Sequence, residues 1–321
     1  MIQSLRISDA LRCILLNGVN GLNVACPREV MGRKASRENV NLCKQALTPS
    51  PDRITLGWWK GVNLGGLVSA RTRAGRRVWE VDRLYLHSLG SGRGSDRDAD
   101  TNWPFPAPEL ESLELLESLV HQAGCKSAER IFLRIPSGSP VAPVAQRCGF
   151  FPSFEETLFV GKNIAAASSE DSPIPNLRTR LIQDDYPLFQ LFTAATPPSV
   201  RTAAGLTFDQ WRDSQEGLQE NTRQWVVECD DRVAAWLSLP DSQRHGPAQM
   251  LVHPDHAGLV PALINLALNS AGARSWLLPD YQDYLRHHLQ QWGLEAVTNY
   301  TMLIKTVAVP VGSPCVAAVE A

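Results

Sequence analysis

The sequence predicts an α/β (α+β) chain made of two similar halves, and three observations carry this prediction. The stretch Ile131–Phe159 contains a short apolar strand, a break rich in Pro, Gly and Ser, a short helix that ends at Gly149, and a second strand. The stretch Ser275–Thr306 has the same order, with Gly293 at the place of Gly149 and 144 positions later (293 minus 149). In both halves, three strand-like runs precede this unit. A repeat at this distance indicates a duplicated domain.

The first half begins with helical segments and continues as a β-meander. Apolar residues at helical spacing predict one helix around Leu11–Val19 and a second over Asn39–Leu47. From Arg53 onward the period is that of strands, with Gly-containing turns between the runs. The predicted strands are Ile54–Trp59, Leu64–Thr72 and Arg77–Leu86, and an amphipathic helix from Leu110 to Val120 follows.

The second half repeats this order after a linker. A strand, two helices and a second meander are predicted, with Thr207 as the cap of the second helix and Asp230-Asp231 as a tight turn. The predicted elements are Leu177–Ile182, Asp184–Ala194, Phe208–Gln215, Gln224–Cys229, Arg232–Leu239, Ala248–His253 and Pro261–Ser270.

Two polar stretches interrupt the order of elements. Ser88–Pro108 is rich in Gly, Ser, Asp and Pro, and a loop of that length is expected to be functional or disordered. Asn163–Asn176 is small, polar and punctuated by proline, which is typical of a linker. We therefore expect an N-terminal domain over residues 1–162, a linker over 163–176 and a C-terminal domain over 177–321.

The composition excludes several classes of protein. The chain of 321 residues is 44% hydrophobic and 20% charged, with a net charge of −2, which does not favour a nucleic acid or an anionic membrane as a partner. No apolar stretch is long enough to cross a bilayer, and the N-terminus lacks the pattern of a signal peptide. The seven cysteines form no CxxC pair, so we expect reduced thiols and a cytoplasmic protein.

The first half has the order strand, helix, Gly-aromatic pair, strand, and the second half has the same order with Gly293-Leu294 in place of Gly149-Phe150. This order resembles that of the GNAT superfamily of N-acetyltransferases. The resemblance extends over most of the chain, once per half, and implies two tandem GNAT-like domains. Each would be a twisted, mostly antiparallel mixed sheet with helices on both faces. It also implies acyl-CoA as a co-substrate, either acetyl-CoA or another acyl-CoA, whose pantetheine arm enters where the third meander strand splays from the next strand.

In this family the turn after the third meander strand holds the diphosphate of acyl-CoA with backbone amides. The second half opens that turn with Val-His-Pro-Asp, as the family does, but the loop is about two residues short, keeps one glycine and lacks a basic residue. The alternative is a plain strand-to-helix turn. The residues that the resemblance assigns to cofactor binding are Leu251, Val252, His253, Ala257, Gly258, Leu259 and Val260.

Catalysis in this family needs a base for the amine, and often a tyrosine acid four residues before the Gly of the Gly-Phe pair. Those positions are Ala145 and Leu289 here, so both halves lack that tyrosine. Glu80 and Asp82 are the candidate bases, because their period-2 spacing places both carboxylates on one face of the third meander strand. If that face is turned to solvent, they are ordinary polar strand residues paired with arginine.

Two side-chain types allow further interpretations. Tyr281 and Tyr284 lie early on the helix of the second repeat, where packing competes with a role near a thiolate. The histidines show no spacing typical of metal ligands, so no metal is expected.

By resemblance, we expect an acyl-CoA-dependent N-acyltransferase that acts on a small-molecule or peptide amine. The alternative is a pair of degenerate domains that serves as a scaffold or binds a small molecule, because fold alone does not fix function.

Overall fold

The computed structural model describes residues 2–4, 23–31, 50–61, 63–86, 109–161, 174–216, 222–240, 246–271 and 274–307. Several predicted features lie outside these residues. They are the helices around Leu11–Val19 and Asn39–Leu47, the loop Ser88–Pro108 and most of the linker Asn163–Asn176.

The first half supplies six strands and two α-helices within the described residues, and the predicted meander is confirmed. The elements are β1 (Ile2–Ser4), β2 (Arg53–Lys60), β3 (Asn63–Thr72), β4 (Val78–Leu86), α1 (Glu109–Cys125), β5 (Arg130–Pro136), α2 (Val141–Arg147) and β6 (Phe151–Gly161). A 3₁₀ turn at Arg28–Val30 stands between β1 and β2.

The second half repeats the order, and one helix, α4, was not predicted. The elements are β7 (Leu177–Thr179), α3 (Asp185–Ala195), α4 (Pro198–Ala204), α5 (Phe208–Ser214), β8 (Thr222–Cys229), β9 (Arg232–Pro240), β10 (Gln249–Val252), α6 (Val260–Ala271), β11 (Ser275–Pro279), α7 (Tyr284–Gln291) and β12 (Leu294–Thr306). Thr207 caps α5 by accepting a hydrogen bond from the amide of Gln210, as expected. Asp230 and Asp231 both have positive φ in the tight turn between β8 and β9.

The helices pack on the sheet because their apolar residues recur at helical spacing. Val141, Val144 and Ala145 of α2 are buried, and Gly149 ends this unit with φ of +81°. Gly293 ends the α7 unit with the same φ of +81°. Both positions require the left-handed conformation that glycine adopts without steric cost, which explains why this residue recurs in the two repeats.

The last strands of the two halves are exchanged. One sheet has the order β1-β2-β3-β4-β5-β12-β6-β11, so β12 lies between β5 and β6, and β6 lies between β12 and β11. A second sheet, β10-β9-β8-β7, joins the first through Ala248, whose amide donates to the carbonyl of Ser275 at 2.8 Å. Each half therefore completes its sheet with a strand of the other half.

The strand pairing has pseudo-two-fold symmetry. Pro136 lies opposite Tyr300 across β5 and β12, and Pro279 lies opposite Glu156 across β11 and β6. Glu156 and Tyr300 also face each other across β6 and β12. Because 300 minus 156 equals the repeat distance of 144, the pseudo-two-fold axis passes through this pair.

Helices cover both faces of the second half-sheet. On one face, residues of α3 and α5 pack against Val226 and Leu251. On the other face, residues of α6 and α7 pack against Val227 and Val252. The alternation along each strand follows the period of a β-strand. No helix in the described part of the chain is long and apolar enough to cross a membrane.

Candidate active site

Within the described residues, each half contains a pair of adjacent parallel strands that begin together and then diverge. In the first half, β4 and β5 pair only from Val78 to Glu80, and both strands continue beyond that point unpaired to each other. In the second half, β10 and β11 meet at Ala248 and then separate. We refer to these openings as the first gap and the second gap.

The first gap is occupied by the segment Asn23–Cys26. The amide of Val24 donates to the carbonyl of Leu84 on β4 at 3.0 Å, and the amide of Cys26 donates to the carbonyl of Arg134 on β5 at 2.9 Å. The side chain of Asn23 accepts a hydrogen bond from the amide of Leu84 at 2.9 Å. The segment therefore bonds to both edges of the gap.

The second gap has no such segment among the described residues. The carbonyl and amide of Ala248 bond to β11, whereas His253 donates its amide to Ala234 on β9. Because backbone groups alternate along a strand, the amide and carbonyl of Met250 point towards β11, into the gap. At its far end, the hydroxyl of Tyr284 donates to the carbonyl of Val252 at 3.3 Å.

A cavity of about 380 Å³ lies over one face of the sheet, next to the second gap, and both halves line it. Its wall on the side of β10 and α3–α5 is largely apolar and includes Phe192, Trp211, Trp236 and Leu251. Its opposite wall carries charged side chains that come mainly from the first half, including the segment that follows Cys26. These charged residues are Arg28, Glu29, Arg71, Arg73, Glu80, Arg134 and Glu156, together with Glu216 of the second half.

The charged wall is an ion-pair network centred on Arg134, whose side chain is only 1% exposed. Its guanidinium contacts Glu156 at 2.6 Å and Glu216 at 2.5 Å. Glu216 also contacts Arg28 at 3.0 Å and Arg73 at 3.6 Å. Burial alone would raise the pKa of Glu216, but Arg134, Arg28 and Arg73 outweigh it and hold that pKa well below its usual range.

The predicted catalytic carboxylates lie beside the first gap. Glu80 lines the cavity and contacts Arg71 and Arg73, each at 3.3 Å. Asp82 is not among the residues that line the cavity; it contacts Arg53 at 2.7 Å and is 5% exposed. The two arginines that face the carboxylates, Arg53 and Arg71, lie opposite each other across β2 and β3, so both carboxylates are on one face of the sheet.

Glu80 is far from the second gap. Its strand, β4, is separated from β11 by β5, β12 and β6. Four strand-to-strand steps of about 4.8 Å place it roughly 19 Å from β11. Glu156, by contrast, is on the strand adjacent to β11, directly opposite Pro279.

The predicted cofactor-binding residues fall into two groups. Leu251 and Val252 belong to β10 and border the second gap, and Leu251 also lines the cavity. His253, Ala257, Gly258, Leu259 and Val260 belong to the turn before α6 or to its first residue. A Cβ on Gly258 would meet no atom within 4 Å, so the turn is open on that side.

The amides of this turn are partly used within the turn itself. Pro254–Leu259 forms a 3₁₀ helix, and the amide of Asp255 donates to Nδ1 of His253 at 3.2 Å. The amide of Val260 donates to the carbonyl of Ala257. Fewer donors are therefore left for an anion than a long glycine-rich turn offers.

Tyr281 stands at the end of β11, in the 3₁₀ turn Asp280–Gln282, and lines the cavity. Its ring packs edge-on against Phe154 with the ring centroids 5.7 Å apart. Burial raises the pKa of its hydroxyl, and the negative charges of Glu156 and Asp280 raise it further. The sequence favours a packing role for this tyrosine, because a helical pattern does not indicate that the turn directs the ring towards the cavity.

No cluster of three or more His, Cys, Asp or Glu side chains within the described ranges is arranged to hold a metal ion. The two histidines of the turn, His253 and His256, have their ring centroids 5.7 Å apart. Nδ1 of His253 lies 3.7 Å from the carboxylate of Asp255.

Comparison with known proteins relates this chain to others by fold. No described protein family and no curated protein matches its sequence. A candidate acetyltransferase from Pyrococcus horikoshii superposes with a TM-score of 0.51 at 9% identity, over 96% of this chain and 90% of that protein. A GCN5-related N-acetyltransferase from Sphaerobacter thermophilus gives 0.49 at 14% identity, over 97% and 96%.

A tandem GNAT protein from the clavulanic acid biosynthesis pathway is also similar. It gives a TM-score of 0.48 at 14% identity, over 97% of this chain and 99% of that protein. The chain therefore shares its overall fold with the Pyrococcus horikoshii protein, and its large mixed sheet covered by helices agrees with the fold class that the sequence predicts. At such low identity the likeness concerns the fold, and the activity has to be argued from the site.

Proposed function

We propose that this chain transfers an acyl group from acyl-CoA to an amine inside the cavity between its two halves. The observation that supports this most directly is the second gap, because β10 and β11 separate beside the cavity and the backbone of Met250 faces the opening. An extended arm that carries amides can pair with such a strand edge, as a peptide does when it adds to a sheet.

The donor site fits an acyl-pantetheine arm better than it fits a diphosphate. The gap offers a strand edge beside Leu251 and Val252, while the turn that follows uses its Asp255 and Val260 amides internally. The side chain of Asp255 also adds a negative charge there. We therefore propose that acetyl-CoA, or another acyl-CoA, is held mainly by its arm, and that Ala257–Val260 contribute little.

Tyr281 is the proposed proton donor to the leaving thiolate. The amine nitrogen forms a bond to the thioester carbon, and the C–S bond then breaks with its electron pair on sulfur. At neutral pH the Tyr281 hydroxyl carries its proton, as tyrosines do, and it can donate that proton to the sulfur as the C–S bond breaks. Its position at the end of β11, on the wall of the cavity, places it beside the second gap.

Glu156 is the proposed acceptor of the proton that the amine loses. It lies opposite Pro279, next to the end of β11, and its charge acts on Tyr281. A proton that passes from the amine to Glu156 and then to the tyrosinate restores both groups, so the products are an amide and a free thiol. We assign Glu80 to holding Arg71 and Arg73 on the charged wall, and Asp82 to pairing with Arg53 outside the cavity, rather than to proton transfer.

The acceptor that fits this cavity is an amine with an apolar body. The side chains of Phe192, Trp211 and Trp236 form an apolar wall. On the opposite wall the carboxylates are already paired with arginines, as Glu80 is with Arg71. A polycation would therefore find few free carboxylates to bind.

Release of free thiol from acetyl-CoA, measured with a panel of amines, tests this proposal. We expect release to depend on the amine and to be faster with 2-phenylethylamine than with spermidine. Thiol release with none of the amines, together with no binding of acetyl-CoA, would favour the degenerate scaffold. The occupied first gap and the internally bonded turn are the observations that support that second candidate.

A further inference from the structure

We propose that the first half takes no acyl donor, because the segment Asn23–Cys26 of the same chain permanently occupies the place that a donor would need. The chain would then hold one donor, in the second gap. This inference rests on the proposed function, which assigns the donor to the second gap. It adds that a segment of the same chain fills the equivalent gap of the first half.

The two gaps are equivalent by the internal symmetry of the chain. β4 and β5 of the first half correspond to β10 and β11 of the second, and both pairs are parallel, meet at one end and separate beyond it. In the second gap the facing backbone of Met250 has no third segment beside it within the described residues. In the first gap the facing backbone of Leu84 has both its amide and its carbonyl bonded to the inserted segment.

The inserted segment satisfies the strand edges as an added strand would. The side chain of Asn23 makes a second hydrogen bond to β4, in which its Nδ2 donates to the carbonyl of Asp82 at 3.2 Å. Val24 is 5% exposed and Ala25 is fully buried, and both belong to the core under α1. A pantetheine arm could enter only if these buried residues left the core.

The chain beyond the segment is anchored as well. Arg28 contacts Glu216 at 3.0 Å, and Glu29 contacts Arg71 at 2.5 Å. Met31 is buried with Leu277 of β11. Displacement of Asn23–Cys26 would therefore disturb the charged wall and the edge of the second gap, so the segment is part of the fold rather than a movable lid.

In this arrangement the first half forms part of the cavity wall and does not bind a donor. The same segment that closes the first gap continues into Arg28 and Glu29, which line the shared cavity. The first half thus supplies part of the wall of the acceptor cavity, and the second half supplies the gap in which the donor binds.

Hydrogen exchange on the full chain tests the closure whether or not a donor binds. We expect the amides of Val24 and Cys26 to exchange at least about 100-fold more slowly than in an unstructured chain, as buried and bonded amides do. Acetyl-CoA at 1 mM should leave both rates unchanged or lower them, because a donor bound in the second gap stabilises the folded chain. Exchange at the unstructured rate, or acceleration by acetyl-CoA, would overturn the inference.

A variant and its control make the test specific. Asn23→Ala removes the side-chain bonds to β4 and should accelerate the exchange of Val24 and Cys26 by about tenfold or more, which is the effect of losing one to two hydrogen bonds. Asn269→Ala, on the exposed surface of α6, should leave these rates unchanged. Equal rates in both variants would contradict the role given to Asn23.

Native mass spectrometry of the full chain with acetyl-CoA supplies the stoichiometry. One donor per chain is expected, and two would overturn the inference. No bound donor would contradict the proposed function instead, and the exchange rates of Val24 and Cys26 would then decide whether the first gap is closed.

Discussion

Glu156 and Tyr300 face each other across β6 and β12 and occupy equivalent positions in the two halves. The pair marks the pseudo-two-fold axis, and each residue belongs to a strand that has crossed into the sheet of the other half. Glu156 is also paired with Arg134 and stands opposite the end of β11. The axis of the fold thus passes beside the proposed reaction site, which explains why both halves line one cavity.

Replacement of Tyr281 by Phe tests the proposed proton donor. The ring still packs against Phe154, so the fold should be kept, while the hydroxyl that protonates the thiolate is lost. We expect kcat to fall by about 100-fold, the scale of general acid catalysis. The control is Tyr284→Phe, which removes one hydrogen bond to Val252 and should change kcat less than about tenfold.

The pH dependence of kcat provides the matching check. Since burial and the neighbouring acidic groups raise the pKa of Tyr281, its proton is kept as the pH rises through the usual range of tyrosine. No loss of kcat from this group is expected between about pH 7 and about pH 9.5. An alkaline decline in that range that disappears in the Tyr281→Phe variant would contradict the assignment.

Arg134→Met should destabilise the fold. The change leaves Glu156, which is 3% exposed, without its guanidinium partner, and breaking a buried ion pair on one side costs about 3 to 5 kcal/mol. Arg76→Met is the control, because the Arg76 side chain is 84% exposed and should contribute less than about 1 kcal/mol. Denaturant unfolding measures both, and equal losses would show that the network does not stabilise the charged wall.

The reactivity of Cys26 reports on the inserted segment. Burial raises the pKa of this thiol to about 11, so about one molecule in a thousand carries the thiolate at pH 8. Since the folded pKa lies above the unfolded one, the proton is retained in the folded chain and is lost only as the pH approaches that value.

Alkylation by iodoacetamide, followed by peptide mass analysis, measures this reactivity. Labelling of Cys26 should be at least about tenfold slower than labelling of the exposed Cys125 and should rise about tenfold per pH unit from pH 8 to pH 10. Equal rates for the two thiols at pH 8 would mean that the segment leaves the gap.

The turn before α6 leads to a prediction about the donor. Its amides at Asp255 and Val260 are bonded within the turn, so the diphosphate should gain little there. We expect KM values for acetyl-CoA and S-acetyl-pantetheine to differ by less than about fivefold, the worth of one weak helix-terminus contact. Gly258→Val, which has room for its side chain, should leave both values nearly unchanged. A preference for acetyl-CoA of about 100-fold would show that the turn binds the diphosphate.

The elements of the fold were predictable because each follows from local periodicity and from turn residues. Gly149 and Gly293 marked the repeat, and the two meanders appeared as runs separated by tight turns such as Asp230-Asp231. The exchange of β6 and β12 was not predictable, since a one-dimensional pattern specifies that a strand exists and does not specify its neighbours.

The site was harder to predict for the same reason. Glu80 and Asp82 were found from their spacing, but which gap they border depends on the strand order. The residues Asn23–Cys26 form too short a stretch to signal a strand, and their partners lie about 60 and 108 positions away. Glu156 gave no signal in the sequence, because only the pairing with β11 brings it beside the second gap.

The central claim is that a donor pairs with the edge of β10 in the second gap, and Met250 gives the most direct test. Met250→Pro removes the amide that faces the gap and leaves the amides that pair with β9 in place, whereas Met250→Ala removes the same side chain and keeps the amide. In a calorimetric titration with acetyl-CoA, we expect binding to the wild type and to Met250→Ala, and at least about tenfold weaker binding to Met250→Pro, which is the effect of losing one hydrogen bond. No binding to the wild type at millimolar acetyl-CoA, or equal binding to the two variants, would contradict it.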